Sequence, residues 1–429
     1  MVLDHVTHLN CLVCGKSYRP DQVDYVCPDH GYEGILDLRY DYEAIRARFS
    51  RQMLSENREL SIWRYKPLLP VAADAVVPPL AVGWTPLYKT DRLASTLGIR
   101  HLWVKDDGRQ PTASFKDRAS AMAIVKAAEK GATVITTAST GNAAAALSGL
   151  CASIDQANVI FVPESAPQAK ITQLLVFGST VVLVKGNYGN AYDLCMTAVE
   201  QFGWYNRNTG YNPYMTEGKK TVSFEIAEQM DWKVPDKVFV SVGDGCIIGG
   251  VHKGFRDLYE MGWIDRIPKL FGVQAEGSSF LYEAWKNGEE VLTKPEIDAQ
   301  TVADSISAGM PRDRIKAMAA VTETDGAYIC VSDSEILSAI PEMARGCGVF
   351  AEPAGAAAYA GLKKAIESGQ VNADDTVVVI STGNGLKDIS SALKACQDSG
   401  THPIVVSNDF EQLQQALKDQ SPDGVSQVF

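Results

Sequence analysis

The chain of 429 residues carries a net charge of −12, with 46% hydrophobic and 21% charged residues. It is too long for one hydrophobic core, so two or more domains are expected in an otherwise ordinary globular composition. The acidic balance speaks against nucleic acid; no apolar run reaches the ~18 residues of a membrane span and no basic-then-apolar leader opens the sequence, so a cytoplasmic protein without membrane contact is expected.

The first feature in chain order is a cluster of soft ligands. Cys11 and Cys14 form one pair, Cys27 and His30 the other. Four such ligands in two close pairs suit tetrahedral zinc, and a site with four protein ligands is structural because no position is left open for catalysis. The rival reading is a degenerate ribbon of unligated thiols. The remaining six cysteines are scattered, as reduced cytosolic thiols are. Ile35 to Tyr40 reads as a strand that closes this small module, Tyr42 to Leu54 as a polar helix, and Trp63 to Pro70 as a Pro-containing connection.

Beyond it, strand-like His101-Leu102-Trp103-Val104-Lys105 leads to Pro111-Thr112-Ala113-Ser114-Phe115-Lys116-Asp117-Arg118, and Ala119 to Lys130 reads as a helix. A lysine at such a junction is placed to have a lowered pKa and to condense with an aldehyde; in isolation it reads as a surface lysine at a helix start. Further strands are predicted at Ala132–Ala138, Asn158–Val162, Thr180–Val184, Lys237–Val242, Leu270–Ala275 and Thr376–Ser381. Helices are predicted between them at Asn142–Ser153, Pro167–Phe177, Ala191–Phe202 and Ser334–Cys347. Nearly all-apolar strands alternating with helices mean parallel sheets covered on both faces. Two doubly wound α/β sheets fit the length, with a ligand between them at the carboxyl ends of the strands. In the tail, Ile404–Val406 reads as a strand and a helix follows.

Three further loops lie at predicted strand ends. Ser139-Thr140-Gly141-Asn142 offers backbone N–H groups and a helix dipole to a carboxylate, and Asn142 an amide for a phenolic oxygen. Gly243-Asp244-Gly245-Cys246-Ile247-Ile248-Gly249-Gly250 lets backbone approach a phosphate. Ile248 stands where a dinucleotide fingerprint needs its third glycine, and no Gly-Lys-Ser follows, so a monophosphate fits best. Ser381-Thr382-Gly383-Asn384 carries hydroxyls suited to a pyridine nitrogen. Singly, each loop also reads as a cap or turn. Lysine, carboxylate loop, phosphate loop and hydroxyl loop together describe a site for pyridoxal 5′-phosphate.

Their order resembles the tryptophan synthase β-subunit-like fold type II, and the sequence blocks resemble the threonine synthase family. The blocks are Trp63-Arg64-Tyr65-Lys66-Pro67-Leu68-Leu69-Pro70, Gly83-Trp84-Thr85-Pro86-Leu87, Ser114-Phe115-Lys116-Asp117-Arg118, Ser139-Thr140-Gly141-Asn142 and Thr382-Gly383-Asn384-Gly385-Leu386-Lys387-Asp388. The resemblance runs from about residue 8 to 392. It implies a zinc-ribbon-like module over residues 1–40, a large cofactor-binding domain over 41–116 and 206–395, a small α/β domain over 117–205 and a C-terminal extension over 396–429. It implies that Lys116 is the Schiff-base lysine and general base, backed by Phe115. Asn142 is then expected at the ring oxygen and Thr382 at the pyridine nitrogen. Gly243, Asp244, Gly245, Cys246 and Ile247 are expected at the phosphate, and Ser139, Thr140 and Gly141 at the substrate carboxylate. A homodimer acting on a small amino acid is also implied.

The activity so implied is a lyase reaction, O-phospho-L-homoserine and water giving L-threonine and phosphate. Two positions depart from the family pattern. Met215 falls where an arginine is usual, and Gly210 where a serine is usual, in the segment that grips the substrate phosphate. Loss of such a charge-assisted contact costs on the order of 2–5 kcal/mol, and Arg207, Lys219 and Lys220 are the candidates to replace it. The departures keep open a paralogue that acts on another amino acid by β-elimination or β-replacement, of the serine/threonine ammonia-lyase or cysteate synthase type. A catalytically silent cofactor-binding protein is the third reading, against which an intact Lys116 stands.

Overall fold

The computed structural model describes residues 5–420. Its strands in chain order are β1 (Val6–Cys11), β2 (Ser17–Tyr18), β3 (Leu36–Tyr40), β4 (Leu87–Lys89), β5 (His101–Asp106), β6 (Ile135–Ala138) and β7 (Asn158–Pro163). They continue as β8 (Thr180–Val184), β9 (Tyr205–Asn206), β10 (Lys237–Ser241), β11 (Lys269–Ala275), β12 (Ala327–Val331) and β13 (Thr376–Ser381).

Among the described residues these form a three-stranded sheet in the order β2-β1-β3, a six-stranded sheet β12-β11-β10-β13-β5-β4 and a four-stranded sheet β8-β7-β6-β9. The first is antiparallel. The large sheet is parallel except for its edge strand β4, and the small one is parallel throughout. The chemistry of β13 shows why: Val377, Val378, Val379 and Ile380 are all fully buried, as a strand covered by helices on both faces must be. In the large sheet β13 lies between β10 and β5, so the loops following β10, β13 and β5 emerge side by side from its carboxyl edge. Open α/β sheets bind ligands at that edge.

The expected strands and long helices are present with shifts of a few residues at their ends. The segment from Tyr42 to Leu54 forms two short helices, Tyr42–Arg46 and Arg51–Glu56, instead of one. The Ser50 hydroxyl accepts from the Met53 amide and restarts the helix there, a break that a local cap imposes. Ile404–Val406 forms no strand, and Val405 is 91% exposed, so among the described residues no neighbouring strand supplies hydrogen bonds or cover. A helix follows at Phe410–Gln420.

Beneath the lysine-bearing loop lies a buried ion network. The Arg118 guanidinium donates to Asp107 at 2.6 Å and to Glu225 at 2.8 Å, and the Lys105 ammonium lies 2.7 Å from Glu225. Two cations and two anions balance at full burial, which is the condition under which buried charge is tolerated.

Candidate active site

Lys116 is the first residue of the helix Lys116–Glu129, directly after the loop from β5. That loop is fastened to the turn after β13. The Phe115 amide donates to the Thr382 carbonyl at 2.8 Å, the Asn384 amide to the Ala113 carbonyl at 3.1 Å, and Ser114 bridges Gly383. Ala113 adopts φ +64°, a strained value for a residue with a side chain. The side chain of Lys116 makes no hydrogen bond or ion pair among the described residues, and desolvation pulls its pKa below the usual lysine range. Cys246 and Asp244 of the glycine loop, Glu352 and Arg207 are all within electrostatic reach of it. Phe115 is fully buried, and the Arg118 guanidinium lies 5.4 Å from the centre of its ring.

The glycine loop follows β10 and opens the helix Cys246–Glu260. Gly245 takes φ +86°, and a Cβ there would lie 2.6 Å from the Ala317 methyl; a Cβ on Gly243 would lie 2.7 Å from the Ile306 Cα. Both glycines are therefore required by the segment packed behind the loop. Asp244 is exposed, and its carboxylate accepts from the Arg312 amide at 3.3 Å, so its charge is turned outward from any anion the loop would hold. Burial pushes the Cys246 thiol well up, leaving it neutral.

Asn142 begins the helix Asn142–Ala152 after β6, and its side-chain amide donates to the Glu352 carboxylate at 2.8 Å. In the half-buried turn before it, the Ser139 hydroxyl accepts from the Gly141 amide at 3.2 Å. Thr382 is buried at the end of β13, and among the described residues the neighbouring Ser381 hydroxyl is buried without a hydrogen-bond partner, as is that of Ser114.

Glu352 was not singled out by the sequence. It precedes the helix Pro353–Glu367, and burial raises its carboxyl to about 7 against the pull of Lys387 and Lys116. A Cβ on Gly383 would lie 2.3 Å from its carboxylate oxygen, so that glycine exists to admit it. The available signal was the Glu-Pro pair opening an alanine-rich helix, a Pro-at-N1 pattern. Met215, by contrast, is fully buried in the core, and Gly210 takes φ +79° with Arg312 where a Cβ would point.

Buried hydroxyls without partners, an uncompensated lysine and a glycine cradle at a helix N-terminus are the donors that pyridoxal phosphate requires. The residues present fit that group. Fold and site thus define a pyridoxal-phosphate enzyme of the parallel-sheet type. Residues 79–383 match the family model of the pyridoxal-phosphate dependent enzymes. Over 411 residues the chain is 39% identical to a threonine synthase of Methanosarcina acetivorans, covering 96% of this chain and 98% of that one. It is 37% identical to one of Methanocaldococcus jannaschii, covering 95% and 99%. Among solved structures, threonine deaminase isoform 2 of Solanum lycopersicum superposes with a TM-score of 0.64 at 23% identity, covering 74% of this chain and 83% of that one. Diaminopropionate ammonia lyase of Escherichia coli gives 0.63 at 20%, covering 82% and 93%, a likeness of fold alone. The chain belongs to the threonine synthase family of pyridoxal-phosphate dependent enzymes.

Away from this edge, the ligand atoms of Cys11, Cys14, Cys27 and His30 all lie within 4.8 Å of one another. Three sulfurs and an imidazole gathered so closely fit one tetrahedral zinc ion. The module that carries them is tied to the body by Asp37, which accepts from Lys253 at 2.8 Å, and by the Tyr25 hydroxyl, which accepts from the Asn206 amide at 3.0 Å.

Proposed function

We infer that this chain is a threonine synthase, converting O-phospho-L-homoserine and water to L-threonine and phosphate. The observation that carries the reading is near-full-length correspondence with threonine synthases combined with an unpaired Lys116 within electrostatic reach of the phosphate loop and of Glu352. Pyridoxal phosphate, when bound, supplies an electron sink for negative charge developed on the substrate carbons. Gly243, Asp244, Gly245, Cys246 and Ile247 would hold its phosphate through their amides, Asn142 its ring oxygen and Thr382 its ring nitrogen. Ser381 offers a second hydroxyl beside Thr382.

Lys116 is the proton carrier. Desolvation favours its neutral amine, so it can take a proton from the substrate Cα and return one at Cγ. The net change breaks one Cβ–H bond and the Cγ–O bond, releases phosphate, adds a proton at Cγ and the hydroxyl of water at Cβ, and leaves Cα with a proton again; Lys116 is the group placed to carry these protons. Ser139, Thr140 and Gly141, at the N-terminus of an 11-residue helix, receive the substrate carboxylate. The four N-terminal ligands hold a structural zinc ion and take no part in proton transfer.

The purified enzyme should release phosphate and threonine in equal amounts from O-phospho-L-homoserine. Absence of phosphate, with a 2-oxoacid formed from serine or threonine, would instead establish the ammonia-lyase reading. Lys116→Ala should lose both activity and the visible absorption of the bound cofactor.

A further inference from the structure

The substrate carries a phosphate monoester, yet the positions that usually grip it are closed here. Met215 is packed into the core, and Gly210 has neither a hydroxyl nor room for one. Three basic residues stand nearby in the chain, and their surroundings separate them. Lys220 is committed elsewhere, its ammonium 2.6 Å from Glu217 and 2.6 Å from Asp257.

Lys219 is not committed. It is 1% exposed, and its ammonium has no hydrogen-bond partner among the described residues. Its side chain leaves the helix Tyr214–Lys219 against Gly250, in the first turns of the helix that begins at the phosphate loop. Arg207 is 1% exposed as well. Its guanidinium donates only to neutral oxygens: Ser120 at 3.1 Å, Thr209 at 2.8 Å and the Lys116 carbonyl at 3.4 Å. The nearby acids act on these cations only at a distance: Asp117 accepts from the Thr112 amide at 2.7 Å, Asp313 lies 3.7 Å from the Lys316 ammonium, and Asp244 faces outward, and none of them forms an ion pair with Lys219 or Arg207 among the described residues.

Among the described residues, two buried cations beside a third, Lys116, make no ion pair with a carboxylate, so their charge is only partly offset. Burial pulls Arg207 down to about 10, and burial together with repulsion from Arg207 and Lys116 pulls Lys219 down to about 8. A dianionic phosphate reverses both effects at once, because it supplies charge and acceptors to buried donors.

We propose that Lys219 and Arg207 form the seat of the substrate's phosphate monoester, in place of the grip that Met215 and Gly210 no longer supply. The assignment rests on the functional reading above. The same chemistry is offered by the cofactor's own phosphate, and the two sources are separable. In the holoenzyme the cofactor fills its cradle, so added inorganic phosphate reports only the second seat.

The test uses Lys219→Met and Lys219→Gln, with thermal unfolding of stripped and cofactor-loaded protein in the presence and absence of inorganic phosphate, and steady-state kinetics. Removing an unpaired buried charge should raise the melting temperature of stripped Lys219→Met above that of wild type, whereas a structural lysine would lower it. Phosphate should stabilise the wild-type holoenzyme and not the Lys219 variants. KM for O-phospho-L-homoserine should rise about 10- to 100-fold, the loss expected for one charge-assisted contact, with cofactor absorption retained. Unchanged KM and unchanged phosphate stabilisation would overturn the proposal. So would loss of cofactor absorption with KM intact, which would give Lys219 to the cofactor's phosphate. If wild type releases no phosphate from the substrate, the functional reading fails, while the effect of inorganic phosphate on unfolding still decides whether the seat exists.

Discussion

The Asn142 side-chain amide donates to the Glu352 carboxylate at 2.8 Å, joining the small-sheet turn to the helix that opens beside the hydroxyl loop. Glu352 is buried there, beside Gly383 and within electrostatic reach of Lys116. A carboxyl raised to about 7 by burial is neutral over the lower half of the physiological range.

The sign of its effect on stability follows from that shift. The folded state binds the proton more tightly than the unfolded state, so holding Glu352 ionised costs stability as pH rises from 4.5 to about 7. Glu352→Gln removes the titration and keeps the shape. Cofactor-free wild type should therefore fall behind Glu352→Gln across that window, by on the order of 2–3 kcal/mol at pH 8. Thermal unfolding at a series of pH values measures it. A gap that does not vary with pH would contradict the assignment.

Glu225 behaves oppositely. Burial pushes it up, but Arg118 and Lys105 outweigh that and hold its carboxyl at about 2. Its contribution is complete above pH 4.5 and is lost as pH falls towards 2. Glu225→Gln leaves Arg118 and Lys105 under-compensated and should cost about 3–5 kcal/mol at neutral pH, read as a lowered urea midpoint. A surface-like loss below ~1 kcal/mol would show that the network is dispensable.

Gly245→Ala forces a side chain into φ +86° and against Ala317. It should weaken cofactor retention by at least about tenfold, since backbone strain of ~1–3 kcal/mol falls on the phosphate loop. Absorbance after dialysis of the variant measures it, and wild-type retention would show that the loop does not hold the phosphate.

The N-terminal Cys/His module reaches the segment that carries Asn206 and Tyr211 through Tyr25. Its hydroxyl accepts from the Asn206 amide, and its ring lies 5.2 Å from Tyr211 and 5.8 Å from Tyr205; Glu33 pairs with Arg314 close by. Removing a metal held by Cys11, Cys14, Cys27 and His30 would loosen the loops that carry them. Chelation confirmed by metal analysis, or Tyr25→Ala, should raise KM by roughly tenfold with cofactor absorption retained. Unchanged KM in metal-free enzyme would separate the module from the site.

Much of this was legible in the chain because its signals are local. Alternating apolar strands and helices marked the sheets, and the four strand-end loops marked the proposed cofactor site. What stayed hidden depends on distance. Lys219 and Lys220 are neighbours in sequence, yet only one has acids to pair with, and those acids come from helices 214–219 and 246–260. Glu352 is defined by Asn142, 210 residues away. Ile404–Val406 has the composition of a strand but no neighbour to bond with.

The position of solvent label in the product reveals directly where bonds break and form on the substrate. O-phospho-L-homoserine turned over in deuterium oxide should give phosphate and threonine carrying deuterium in its methyl group. That label marks delivery of a solvent-exchangeable proton to Cγ, as Lys116 would provide. Threonine without methyl deuterium, or a 2-oxoacid in its place, would contradict the account.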